Sequence, residues 1–521
     1  KAQSRKPWFF SLSSVLDLSS FDIQQRCDAQ RPVCTQCISR ASDGDGPCDY
    51  GDNTTDEMLV ANISRLEQRI RELEASENPL AMTLQNPYSA PDPANPNQEP
   101  PVDIRRARLD SFFSYYGTVF GVFLNTSRLL ESACSPLPLG HPSRPSPGLM
   151  QTLYFLVSYL HSGPEQRDSS LPQVLQQVSN MLASAHPKKL THTIQAEILL
   201  ANYFFHARRM LEGKYHLDTA ISLAAGARLH SLRSASVASA AAPVDPVEEG
   251  ELINAFWMVY SMHNLWDSLG PSVVVFDRDD QRIDTPWPMD MSEYEQNGIP
   301  GTLTGHSTVR NFLSGAPSSS GYGNSLIAKY TKASVLFSRA NYFATTSSGD
   351  MNSSVRQQLI ASSRNLDTLI DSFTSELPPV EPTSPSEVHT TAFVHLLAYA
   401  STIQVRSVDN ANSRNKSLAV ARAAIELLPA LNALSQHSDV ARAPILNPMF
   451  GGLLGIVGRV LMKELERLRQ SGSRSRSAAV GNQLRELEGM LGALVTTMQE
   501  FSGYSPFVAY QLEKLTQSAG H

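Results

Sequence analysis

The sequence predicts a mostly α-helical protein, with a small cysteine-rich zinc module, a short coiled coil, a disordered proline-rich linker and a large all-helical region. Three observations carry this. Apolar residues recur three and four apart from about residue 104 to residue 517, the spacing that lines one face of an α-helix. Leucines fall seven apart at Leu59, Leu66 and Leu73, a heptad. Four of the five cysteines crowd between Arg26 and Tyr50.

Residues 1–25 show no clear periodicity and no link to the cysteine-rich stretch after them. They are expected to be an unstructured or non-native segment, such as a retained intron read through. Residues 26–50 form the cysteine module. Cys27, Cys34, Cys37 and Cys48 are separated by six, two and ten residues, and Pro32 and Pro47 stiffen the loops between them. Thiolates two residues apart can face one tetrahedral Zn2+, so these four are the expected metal ligands. Four thiolates suit one mononuclear site.

Residues 56–77 read as a dimerisation helix. Ile63 and Ile70 sit midway between Leu59, Leu66 and Leu73. Ile at a positions with Leu at d favours a parallel two-stranded coil, so a homodimer is expected. A single amphipathic helix packed on its own chain is the alternative. Asn78-Pro79 stops the helix. Residues 78–103 carry seven prolines and read as an extended linker.

From residue 104 to residue 521 the pattern is helical. Residues 109–132 are rich in buried-type aromatics. Helices are expected at 148–160 and 171–185, followed by a helical hairpin over 194–232 that turns near Gly213. The next runs from about 246 to 269, with Phe256, Trp257, Tyr260 and Leu265 as its buried stripe. Residues 291–321 are Gly/Ser-rich and read as a loop. Further helices are expected at 323–345, 352–376, 386–407, 412–436, 447–470, 478–500 and 505–517. Gly452, Gly455 and Gly458 recur every three residues in a helical pattern, which close helix packing explains.

Composition limits the function. At 41% hydrophobic and 18% charged, the chain reads as globular. Its net charge of −7 argues against general polyanion binding. Clustered cysteines in an otherwise cysteine-poor chain suggest a reducing compartment with metal binding. No apolar run reaches membrane-spanning length; the best, Met449 to Gly458, is interrupted by Arg459. The sequence has no HExxH, no GxxxxGK[ST] and no GxSxG, so no enzyme is expected. His186, His192, His206, His216 and His230 do not repeat at a metal-ligand spacing and read as surface or hydrogen-bonded core histidines. Asp277, Asp279, Asp280 and Asp284 read as a solvated acidic loop. Arg459, Lys463, Arg467 and Arg469, with the basic loop 472–477, read as a solvated helix face, with a nuclear-import patch as the alternative.

The cysteine stretch resembles the second part of the fungal Zn2Cys6 zinc-cluster domain. Cys27, Cys34, Cys37 and Cys48 match that family's third to sixth cysteines, and Arg31-Pro32-Val33 matches the loop before the fourth. The helical region resembles the fungal-specific transcription factor regulatory domain, or middle homology region. The matching residues are the aromatic helix 109–130, Leu211–Tyr215, Phe256–Ser261 with Leu269-Gly270-Pro271, and Ile283–Pro288.

The resemblance implies a nuclear RNA polymerase II transcription regulator. It implies zinc-dependent, sequence-specific binding of double-stranded DNA, with Arg26 and Arg31 at the DNA. It also implies a dimer formed through the coiled coil, and a regulatory domain that senses a small-molecule effector or holds a partner such as the transcription machinery. The family's first two cysteines and its basic run have no counterpart upstream of Arg26, which implies impaired DNA binding. The alternative is a dimeric helical regulatory or interaction protein with one structural zinc and no DNA binding.

Overall fold

The structure, a computed structural model, describes residues 99–161, 170–181, 184–235, 245–266, 283–316, 322–347, 352–381, 384–407, 413–436, 445–472 and 478–519. The chain divides into two compact units, Lys1–Pro91 and Asp92–His521, and every described residue lies in the second. The zinc module, the coiled coil and nearly all of the linker lie outside the described residues.

Helices make up the regular structure. Among the described residues there is no strand, only an isolated bridge between Ser234 and Gly305. The helices are α1 (Val102–Ser111), α2 (Gly117–Phe120), α3 (Thr126–Ala133), α4 (Pro147–His161), α5 (Leu171–Met181), α6 (Lys189–His206), α7 (Met210–Gly226), α8 (Pro246–Trp266) and α9 (Met291–Asn297). They continue as α10 (Thr308–Leu313), α11 (Leu326–Ser347), α12 (Ser353–Ser375), α13 (Pro385–Arg406), α14 (Ser413–Glu426), α15 (Leu428–Gln436), α16 (Met449–Gly472), α17 (Ala478–Ser502) and α18 (Pro506–Ala519).

Local chemistry sets several boundaries. The side chains of Asn125, Asn352 and Ser384 accept from backbone N–H groups three residues on, capping α3, α12 and α13. The helices then pack in sequence. α6 pairs with α7, α7 with α8, α8 with α11, and α11 with α13. α13 is the hub and also touches α12, α14, α15 and α16. α8 and α13 are apolar nearly all round because they are covered on all sides. α12 buries only Leu359, Ser363, Leu366, Ile370 and Phe373, the three-four spacing of a surface helix.

The structure corrects several expectations. The linker does not run to residue 103: α1 begins at Val102, and Glu99 is already pinned by Arg144, Arg105 and Tyr154. The 109–132 stretch is not one helix. Phe112–Tyr116 forms a π-turn, and Gly121, at φ 78°, ends α2. A Cβ there would lie 3.1 Å from Ile198 and 3.2 Å from the Met258 sulfur, so glycine answers both the backbone and the space.

The hairpin turns at Ala207–Arg209, and Gly213 lies inside α7 against the Phe205 ring. The four aromatic and leucine positions expected as the buried stripe of α8 are buried, but so are its other faces. Residues 291–321 contain α9 and α10. The 412–436 stretch is two helices, because Pro429 has no N–H to continue α14.

Contrary to the expectation that no apolar run reaches membrane-spanning length, Arg414–Ser435 is long and apolar enough to cross a membrane, with a window of mean hydropathy 1.4. Here Ala421, Ala424, Leu428 and Leu431 are instead buried against the helical core. Gly458 of α16 does sit in close packing, since a Cβ would be 2.8 Å from Leu515 of α18.

Candidate functional site

None of the residues expected at the metal, DNA and dimer sites is among those described. Cys27, Cys34, Cys37 and Cys48, Arg26 and Arg31, and Leu59, Ile63, Leu66, Ile70 and Leu73 all precede residue 99. The fifth cysteine, Cys134, is a buried free thiol. No group of three or more His, Cys, Asp or Glu side chains is placed to hold a metal among the described residues.

The five histidines are in the core or at its edge. His186 pairs with the Arg144 carbonyl at 2.8 Å, and His192 Nδ1 accepts from Ser146 N–H at 3.1 Å. His206 meets the Tyr159 hydroxyl at 3.1 Å, and His216 meets Glu197 at 2.6 Å across α6 and α7. His230 anchors the 283–285 segment through its carbonyl, which accepts from Asp284 and Thr285 N–H. Asp284 is not a solvated acid. It accepts from Ser307 N–H at 2.8 Å and from the Ser234 hydroxyl at 2.7 Å. Arg467 and Arg469 of the basic face pair with Glu464 and Glu488.

The strongest candidate site is a cavity of about 410 Å³ inside the helical unit, within the size range of small-molecule pockets. Six pieces of chain line it: Thr118 with the 122–127 segment, α8, the 289–295 segment, the start of α11, the start of α13, and Asn447 before α16. Much of its wall is apolar, from Phe123, Met258, Met289, Ile327, Tyr330 and Phe393. Tyr330 and Phe393 lie 5.7 Å apart by ring centroid, and burial raises the Tyr330 phenol.

Side chains from neighbouring helices fix the loop wall. Gln195 Oε1 of α6 accepts from Phe123 N–H at 2.9 Å and Leu124 N–H at 3.3 Å, and its Nε2 donates to the Gly121 carbonyl at 3.2 Å. Asn202 Nδ2 donates to the Phe120 carbonyl at 2.9 Å. Glu251 accepts from Asn125 N–H at 2.9 Å, and burial raises its carboxyl.

Two lining residues carry polar atoms with no partner. Asn254 on α8 is 4% exposed, and its Oδ1 makes no hydrogen bond. His389 on α13 is 2% exposed. Its Nε2 accepts from Asn447 N–H at 3.1 Å, while its Nδ1 makes no hydrogen bond. Burial holds His389 down at about 3, so it is neutral near pH 7. An accepting Nε2 places the ring proton on Nδ1, which leaves Nδ1–H an unused donor. Both atoms are closed to solvent and so lie behind the cavity wall rather than on it. No lysine or arginine is among the described lining residues.

Sequence reasoning missed Asn254 and His389. The available signal was a polar residue in a run that is otherwise apolar on every side, as Asn254 is between Ile253 and Ala255-Phe256-Trp257.

A second, more polar recess of about 330 Å³ lies beside Trp287. Lys332 there donates to the Gly323 carbonyl at 2.7 Å, and burial lowers its ammonium.

A scan of protein-family models and a search of curated proteins each found no match to this chain.

Proposed function

We propose that the chain is a fungal transcription regulator of the zinc-cluster type, whose helical unit responds to a small-molecule effector bound in the cavity. The observation that carries the reading is a cavity of about 410 Å³ whose wall is largely apolar and whose described lining holds no lysine or arginine. The order of the sequence supports the rest: cysteine array, heptad helix, proline-rich segment, helical unit. Cys27, Cys34, Cys37 and Cys48 would hold Zn2+, the heptad would pair two chains, and the protein would act in the nucleus without catalysis.

The test is a reporter assay with the full chain fused to a heterologous DNA-binding domain. Reporter output should differ from that of the DNA-binding domain alone. Equal output sinks the reading as a regulator.

One observation favours a second reading, a dimeric regulatory partner with one structural zinc and no DNA contact of its own. Residues 1–77 hold nine Lys/Arg against thirteen Asp/Glu, a local balance of −4, and DNA affinity comes largely from neutralising phosphates. Zinc content and a band shift on a CGG-triplet probe separate the two readings. Two zincs and a salt-sensitive shift support direct DNA reading; one zinc and no shift support the partner role.

A further inference from the structure

We infer that the recess beside Trp287 is a second ligand site, which takes an organic carboxylate with a short aromatic body on the ammonium of Lys332. It shares no lining residue with the larger cavity, so it stands apart from the effector reading.

The ammonium comes first. Lys332 on α11 is partly buried, and its Nζ donates to the Gly323 carbonyl at 2.7 Å. Nζ lies 5.1 Å from the ring centroid of Trp287 and 5.6 Å from that of Phe312. Gly323, Trp287, Phe312 and Lys332 itself all line the recess. An ammonium carries three donors, and Gly323 takes one of them. Among the described residues no carboxylate pairs with Lys332; Glu376 acts on it only through its charge. Burial lowers the ammonium, and the Glu376 charge offsets this only in part. Lys332 is thus a half-buried cation short of a counter-charge.

The surroundings hold that cation in place. Trp287 stacks on Trp257 at 4.6 Å and meets Phe312 edge-on at 5.8 Å. Ser325 fixes the first turn of α11: its hydroxyl donates to the Pro288 carbonyl at 2.6 Å and accepts from Ala328 N–H at 3.1 Å. Gly323 has φ 109°, and a Cβ there would lie 2.9 Å from Trp287 and 3.3 Å from Lys332 Nζ. Glycine alone lets this backbone come so close to both.

Charge and shape then name the ligand. Two lysines, Lys329 and Lys332, stand against one carboxylate, Glu376, among the described lining residues, and Glu376 is exposed. A carboxylate would accept from Nζ in a charge-assisted hydrogen bond. An amine would bring another cation to a site that already holds one. Phe312, Phe373 and Leu369 line the recess and give an apolar body a surface to cover. A volume of about 330 Å³ is at the lower end for small-molecule pockets, so that body is short.

The test uses the full chain and three probes on one skeleton: 3-phenylpropanoate, 3-phenylpropanamide and 3-phenylpropan-1-amine. Binding is read by calorimetry and by the shift in melting temperature. The acid should bind at least about tenfold tighter than the amide, the factor that corresponds to about 1.4 kcal/mol. The amine should bind no tighter than the amide. In Lys332→Met the acid should lose about tenfold, while the amide should be unchanged. Glu376→Gln, which removes an exposed like charge, should tighten the acid by about threefold.

An acid that does not bind, or binds no tighter than the amide, would overturn the inference. So would an amine that binds tightest, or an acid affinity unchanged in Lys332→Met. Should Lys332→Met not fold, Glu376→Gln decides: an acid affinity that fails to rise there sinks the site. None of these outcomes bears on the larger cavity, whose reading stands or falls on the reporter assay.

Discussion

The carboxylate of Glu99 takes both terminal nitrogens of Arg144, Oε2 to Nη1 at 2.5 Å and Oε1 to Nη2 at 2.7 Å. Tyr154 donates to the same carboxylate at 2.7 Å, and Arg105 lies 3.0 Å away. Arg144 also donates to the Ala133 and Leu137 carbonyls, so the pair ties the residues before α1 to α4 and to the end of α3. Burial pushes the Glu99 carboxyl up, but the Arg144 bonds, the Tyr154 bond and Arg105 outweigh it and hold the group at about 2.

Glu99→Gln should therefore destabilise the helical unit by about 3 kcal/mol, since it leaves the Arg144 guanidinium buried without its counter-charge. Urea unfolding at pH 7 measures this. Because the folded value lies below the unfolded 4.5, the contribution of Glu99 is complete above about pH 4.5 and is lost as pH falls toward 2. The variant should show no such loss from this site.

The buried histidines act in a higher range. Burial lowers His389 to about 3, and burial together with His186 and Lys188 lowers His192 to about 3, against 6.5 for a free imidazole. The unfolded chain binds protons that the folded chain refuses, so stability is complete above pH 6.5 and falls as pH drops toward 3. Urea midpoints at pH 7, 6 and 5 should decline steadily. His389→Gln, whose amide oxygen can still accept from Asn447 N–H, should give a shallower decline. A parallel decline would show that His389 takes up its proton in the folded state.

Two glycines of α7 should respond in opposite directions. A Cβ at Gly213 would lie 2.5 Å from the Phe205 ring, whereas a Cβ at Gly226 would meet nothing within 4 Å. Gly213→Ala should cost about 1–3 kcal/mol through overpacking, less the helix propensity gained. Gly226→Ala should be neutral or stabilising by up to about 1 kcal/mol. Thermal melts of the two variants check the pair.

The dimer expected from residues 56–77 is tested by placing charge in its seam. Ile63→Asp together with Ile70→Asp should turn the full chain from dimer to monomer in sedimentation analysis, because carboxylates at two a positions would be buried face to face. A dimer that survives both changes would place the interface elsewhere.

Much of the helical region is legible in the sequence, and the misses have physical causes. Helices at 352–376 and 478–500 are readable because they are long and amphipathic, with an apolar spacing that repeats over several turns, and 148–160 is readable as a nearly continuous apolar run of helical length. Gly213 misleads as a hairpin turn because glycine usually marks one. Here it admits the Phe205 ring, and the chain reverses at Ala207–Arg209 with Arg208 at φ 62°. The 291–321 stretch reads as a loop because two short helices surrounded by glycine and serine carry too little periodicity to register.

The sequence alone determined the helical class, the clustered cysteines with their metal-ligand spacing, and the heptad with its apolar seam. These are local properties, set by residue type and by spacing within one segment. Only the tertiary structure decided that Glu99 is anchored by Arg144, that Asp284 is bonded to Ser234 and Ser307, and that Asn254 and His389 line one cavity. Asn254 and His389 are 135 positions apart on different helices, and no periodicity brings such residues together. Packing does, by leaving a space between α8, α11 and α13.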